Sequence, residues 1–107
     1  MFRNINADEA KKEYDNGTLF IDVREQMEFD EVRIPGATLI PMSQIQNRWQ
    51  EIPQDKEVLI YCRSGSRSAN LVSQLAQMGY SKLMNLGNGI IEWHQQQYPV
   101  ESGSQNS

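Results

Sequence analysis

Short apolar runs alternate with amphipathic stretches along almost the whole chain. Leu19-Phe20-Ile21-Asp22-Val23 and Val58-Leu59-Ile60-Tyr61 are bounded by turn signals, the form a strand takes when both of its faces are covered. Ala37 to Ile40, after the Pro35-Gly36 turn, and Lys82 to Leu86, before Gly87-Asn88-Gly89, predict two more strands. Between them the spacing turns helical. Asn6 reads as an N-cap with Glu9 in the capping-box position, and Ala7, Ala10 and Tyr14 recur at helical spacing until Asn16-Gly17. Ser66 to Met78 predicts the longest helix, with Leu71, Val72, Leu75 and Ala76 on one stripe and Gly79 as its stop. Arg24 to Val32 predicts a short helix or turn, Ser43 to Trp49 a short helix, and Ile90 to about Tyr98 a last one. Strands alternating with helices in this way predict an α/β domain around a mostly parallel sheet. Such sheets bind ligands at the carboxyl ends of their strands, where Asp22 and Cys62 both fall.

Composition narrows the function. A chain of 107 residues, 38% hydrophobic and 22% charged, supports one domain with one core, expected over residues 1–100. The small polar tail, Glu101 to Ser107, is expected to be disordered. A net charge of −4 argues against a general nucleic-acid surface. No apolar run approaches the roughly 20 residues that span a bilayer, and Met1 to Asn6 lacks the apolar core of a signal peptide. The single cysteine forbids an internal disulfide and an internal resolving thiol. With His94 as the only histidine, the usual zinc ligand spacings are missing too. A cytoplasmic protein without metal or cofactor is the expectation.

Against that acidic background the segment Cys62-Arg63-Ser64-Gly65-Ser66-Arg67-Ser68 is locally basic. A strand that ends at a thiol, then a tight loop, then a helix start is a way to build a thiolate. Gly65 permits close backbone approach, the following amides can point into one concavity, and Ser66 or Ser68 can cap the helix. Loop amides, helix dipole and two arginines all favour negative charge on the sulfur. A lone cysteine is more often a buried core residue; the loop that follows Cys62 shifts the balance to a reactive role.

Cys62-Arg63-Ser64-Gly65-Ser66-Arg67 resembles the active-site loop of the rhodanese family of sulfurtransferases. Asp22-Val23-Arg24 with Glu28-Phe29, Ile34-Pro35-Gly36-Ala37 with Ile40-Pro41, and Leu86-Gly87-Asn88-Gly89-Ile90 with Trp93 are similar to further motifs of that family, in the same order. The resemblance implies a sheet of about four to five strands with helices on both faces. It also implies that the cysteine takes a sulfane sulfur from a donor such as thiosulfate, becomes a persulfide, and gives the sulfur to a nucleophile. That nucleophile is cyanide in an assay, or a thiol, either a small molecule such as glutathione or a thioredoxin-like or dedicated carrier protein. Cys62 would be the nucleophile, the amides of Arg63, Ser64, Gly65, Ser66, Arg67 and Ser68 would stabilise it, Arg67 would favour the anionic donor, and an exposed Arg63 would steer it.

Loop length bears on the alternatives. Related cysteine phosphatases and arsenate reductases place one residue more between cysteine and arginine than the four here, Arg63 to Ser66. The shorter cradle suits a sulfur atom better than a tetrahedral phosphate. A non-enzymatic rhodanese-fold binding or regulatory module is a further alternative, although such modules usually lose the cysteine. Asp22, Arg24 and Glu28 read as support: Asp22 caps a turn or pairs with Arg24, and Arg24 and Glu28 stand one helical turn apart. His94 reads as a surface residue. Two departures from the family pattern concern Val32-Arg33, where Gly-His is usual, and Asn88, where the closing Gly-Gly begins.

Overall fold

The computed structural model describes residues 2–103. Five strands, β1 (Arg3–Ile5), β2 (Leu19–Asp22), β3 (Thr38–Leu39), β4 (Val58–Tyr61) and β5 (Leu83–Leu86), form one parallel sheet in the order β1-β5-β4-β2-β3. The helices are α1 (Ala7–Asp15), α2 (Gln26–Glu31), α3 (Ile45–Arg48), α4 (Ser66–Gln77) and α5 (Gly89–Gln95). Single 3₁₀ turns at Met42–Gln44 and Trp49–Glu51 flank α3, so the helix expected over Ser43 to Trp49 is broken into three short pieces.

Local chemistry sets most boundaries. Asn6 and Glu9 form the capping box at the start of α1, with Asn6 Oδ1 accepting the Glu9 N–H at 2.8 Å and Glu9 Oε1 accepting the Asn6 N–H at 3.1 Å. β1 is the strand that the apolar pattern does not announce. Arg3 and Asn4 are exposed and only Ile5 is buried, so pairing with Met84 to Leu86 of β5, rather than its own composition, makes it a strand.

The core divides across the sheet. Along β4, Val58, Ile60 and Cys62 pack with Leu71, Val72 and Leu75 of α4, while Leu59 and Tyr61 pack with Phe29 of α2 and with Ile90 and Trp93 of α5. Alternation along a strand covered on both faces produces this division, and it places helices on both sides as expected. Cys62 therefore points towards the α4 face.

The polar tail is held as far as it is described. Arg33 and Glu101 exchange two backbone hydrogen bonds of 2.9 Å, and the buried Arg33 guanidinium donates to Glu101 Oε1 at 3.0 Å, to the Phe29 carbonyl at 3.1 Å and to the Gly103 carbonyl at 2.7 Å. Glu101 and Gly103 of the tail expected to be disordered thus contact the domain, and its residues 104–107 lie outside the described residues. Arg33→Ala is expected to speed hydrogen exchange at the Glu101 and Gly103 amides and to cost about 1–3 kcal/mol, because it removes the tether to the tail and leaves the buried Phe29 carbonyl without this donor.

Candidate active site

β4 ends at Tyr61, which lies beside Asp22 at the end of β2, so Cys62 emerges at the carboxyl edge of the sheet's centre. The loop after it is held from the side by the start of α5. Ile90 N–H donates to the Cys62 carbonyl at 3.0 Å, and Ile91 N–H donates to the Arg63 carbonyl at 3.2 Å. Two glycines make this approach possible. A Cβ on Gly65, at φ +99°, would lie 2.0 Å from the Gly87 carbonyl oxygen. A Cβ on Gly89, at φ +65°, would lie 2.1 Å from that of Arg63. The two loops pack backbone against backbone.

Donors then converge on the sulfur. Cys62 Sγ accepts the Gly65 N–H at 3.1 Å, the Ser68 N–H at 3.4 Å and the Ser68 hydroxyl at 3.3 Å, with the Ser64 N–H adding to them. Burial pushes the thiol up, but these hydrogen bonds outweigh it and hold its pKa below the ordinary thiol value. Of the six amides expected to face the sulfur, those of Ser64, Gly65 and Ser68 donate to it, and those of Arg63, Ser66 and Arg67 make no such bond. The expected serine cap is replaced: Gly65 is the N-cap of α4 with no side-chain cap, Ser66 is the exposed first helical residue, and the buried Ser68 turns its hydroxyl to the sulfur and to the Gly65 carbonyl at 3.3 Å.

Ser68→Ala removes one donor to a charged acceptor. A lowered pKa means more thiolate at neutral pH, so the loss should reduce iodoacetamide alkylation of Cys62 at pH 7 about tenfold. The alkylation midpoint should move up, and the variant and wild type should converge at high pH. Identical profiles would remove Ser68 from the cradle.

Of the three supporting residues, Glu28 pairs differently from the expectation. Asp22 and Arg24 form a buried pair, Asp22 Oδ2 to Arg24 Nη2 at 2.7 Å, and Asp22 Oδ1 also accepts the Arg24 N–H at 2.8 Å. Glu28 makes no hydrogen bond to Arg24 and takes both terminal nitrogens of Arg67 at 2.9 and 3.0 Å, which holds its carboxyl down at about 2. Arg67 is therefore tied to Glu28 of α2 by two of its five N–H donors, and stays partly exposed. Arg63 is exposed, as expected.

Sequence reasoning passed over Asn85. Buried in the middle of β5, it donates from Nδ2 to Asn4 at 2.9 Å and to the Gly65 carbonyl at 3.4 Å, while its Oδ1 has no partner. A polar residue inside the apolar run Leu83-Met84-Asn85-Leu86 was the available signal. Among the described residues no cluster of His, Cys, Asp and Glu is arranged to hold a metal, and no helix is long and apolar enough to cross a membrane.

A parallel α/β domain with a cysteine sulfur that gathers hydrogen-bond donors at the carboxyl end of its central strand is the class defined by this geometry. The rhodanese-like domain family matches residues 6–96, and the chain belongs to that family. It is 43% identical over 82 residues to a protein of Allochromatium vinosum named sulfurtransferase, a match covering 77% of each chain. It is 27% identical to thiosulfate sulfurtransferase 18 of Arabidopsis thaliana, over 92% of this chain and 83% of that one. The crystal structure of a rhodanese-related protein from Thermoplasma volcanium superposes with a TM-score of 0.85 at 31% identity, covering 92% of this chain and 97% of the other. The domain and these relatives support a sulfurtransferase kind of function.

Proposed function

We propose that the chain is an enzyme of the thiosulfate sulfurtransferase type. It accepts a sulfane sulfur on Cys62 as a persulfide and passes it to a thiol or to cyanide, in a reducing, cytoplasmic setting. The observation that carries this reading is the convergence of Ser64, Gly65 and Ser68 donors on a single buried sulfur whose pKa is lowered. A thiolate formed in this way attacks the outer sulfur of thiosulfate without a general base, and sulfite leaves. The same donors then face the persulfide anion, which needs no second cysteine within the chain. The non-enzymatic alternative does not explain why the donors focus on a reactive group, and the short loop disfavours phosphate.

Cys62 has 0% solvent exposure, so a donor reaches the sulfur only through a local opening of the loop's outer side chains. The exposed Arg63 steers an approaching anion by long-range attraction, and Arg67, held in place by Glu28, adds its charge near the sulfur. Incubation with thiosulfate followed by intact-mass measurement should show a gain of about 32 Da, one sulfur. The gain should be discharged by cyanide and absent from Cys62→Ala. An unchanged mass in wild type, or the same gain in the variant, would overturn the proposal.

A further inference from the structure

Along β5, Leu83 packs with the cluster on the α4 side of the sheet, and Met84 and Leu86 pack with the opposite one. Alternation puts Asn85 on the α4 side, in register with Ile60 of β4, two residues before Cys62. An apolar residue is expected at such a place. Asn85 is polar and 1% exposed, and both of its amide hydrogens are spent, one on Asn4 Oδ1 at 2.9 Å and one on the Gly65 carbonyl at 3.4 Å. A carbonyl only accepts, so the nitrogen of the amide, not its oxygen, faces Gly65. Oδ1 is left without a partner, a cost to stability that packing does not explain.

The Gly65 carbonyl has two lone pairs and three donors within reach: the Ala69 N–H at 3.0 Å, the Ser68 hydroxyl at 3.3 Å and Asn85 Nδ2 at 3.4 Å. Ser68 has one hydroxyl hydrogen and two acceptors, this carbonyl and Cys62 Sγ, both at 3.3 Å. Ala69 and Asn85 fill the two lone pairs, which leaves that hydrogen for the sulfur. We propose that Asn85 is a positioning residue for sulfur transfer: it occupies the Gly65 carbonyl and so directs the Ser68 hydroxyl hydrogen onto Cys62 Sγ. Its purpose rests on the sulfur-transfer reading; its geometry does not. Without Asn85, the hydroxyl beside a neutral thiol turns to the carbonyl, the thiolate must win the hydrogen back, and ionisation becomes harder. Burial has the largest influence on the Cys62 pKa and raises it; the Ser68 hydroxyl comes next and lowers it. Charge around the sulfur comes from Arg67 of α4 with its partner Glu28 of α2, from Asp22 of β2 and from the exposed Arg63, and none of these hydrogen-bonds to Ser68 or Asn85 through its side chain. The other residues packed with Cys62, among them Val23, Leu71 and Val72, are apolar.

Asn85→Leu keeps nearly the same shape and removes the donor and the orphaned oxygen together. The Gly65 carbonyl keeps Ala69, and the exposed Asn4 turns to water, so Tm should equal or exceed that of the wild type. Iodoacetamide alkylation of Cys62 at pH 7 should nevertheless slow about threefold, with rates converging at high pH. The acid limb of kcat/KM for thiosulfate should move up with the alkylation midpoint. In a Ser68→Ala background the same substitution should move neither. A merely structural Asn85 gives the opposite pattern: Tm falls, and the displaced loop amides shift the midpoint with or without the hydroxyl. Asn85→Ala, which opens a cavity and lowers Tm, should shift the midpoint as far as Asn85→Leu. In the wild type, the side-chain amide resonances of Asn85 should titrate at the Cys62 midpoint and lose that step in Cys62→Ala. An unchanged midpoint in both Asn85 variants, an undiminished shift in the Ser68→Ala background, or an Asn85 resonance that stays flat through the midpoint overturns the proposal. The expected alkylation pattern in a wild type that forms no thiocyanate at any pH overturns the sulfur-transfer reading and leaves the Asn85 geometry standing.

Discussion

Cys62→Ala is expected to release no measurable thiocyanate from thiosulfate and cyanide, a loss of about a thousandfold or more, while its far-UV circular dichroism stays that of the wild type. The size of the effect follows from the reaction. The sulfur atom is the group that forms and breaks the covalent bond, and no other cysteine exists in the chain to replace it. Removing a single atom from the α4 face of the core leaves a small cavity that costs about 1 kcal/mol, too little to unfold the domain. Cys62→Ser sharpens the test. Its hydroxyl still meets the Gly65 and Ser68 donors, so the loop keeps its partners. A serine hydroxyl remains protonated at neutral pH and holds no sulfane sulfur, so the Ser variant should be as inactive as Ala and at least as stable. Equal transfer rates in wild type and either variant would show that the reaction does not pass through Cys62.

The cysteine loop was legible in the sequence because its chemistry is local. All donors to Cys62 come from residues within six positions of it, so strand, loop and helix start could be read from one segment. Asp22 with Arg24 was legible for the same reason, being two residues apart. The pairing of Glu28 was not. One helical turn offered Arg24, but Arg24 already donates its terminal nitrogen to Asp22 and to the Val32 carbonyl, and the free partner, Arg67, comes from 39 residues downstream. Distance along the chain hid Asn85 and the α5 amides in the same way.

The two departures from the family pattern show what each position demands. Val32 lines the cavity between α2 and α5 and its carbonyl takes Arg24, while Arg33 is buried and fastens residues Glu101 and Gly103. Asparagine tolerates left-handed backbone better than most residues. Asn88 makes no use of that tolerance, since it sits at φ −110° and is exposed, with its side chain on Glu92. The positive φ falls on Gly89 alone in that turn, so the retained glycine is the one that geometry requires.

Gly89→Ala is accordingly expected to be the most damaging conservative change outside the nucleophile. Two costs combine there: left-handed backbone for a residue with a Cβ, roughly 1–2 kcal/mol, and a Cβ driven to 2.1 Å from a backbone oxygen. Backbone cannot rotate away as a side chain would, so that contact adds about 1–3 kcal/mol or more. Gly17→Ala provides the control, since Gly17 has φ +83° but nothing within 4 Å of a new Cβ. Gly17→Ala should lower Tm by about 4–8 °C per kcal/mol of backbone strain alone. Gly89→Ala should lower it by at least twice as much. It should also raise the alkylation midpoint of Cys62, because the displaced Arg63 and Ser64 backbone carries part of the donor set away from the sulfur. Gly65→Ala, meeting the Gly87 carbonyl at 2.0 Å from the other side, should reproduce both effects. Matching Tm values for Gly17→Ala and Gly89→Ala would show that the two loops are not in backbone contact, and the thiolate would then owe nothing to α5.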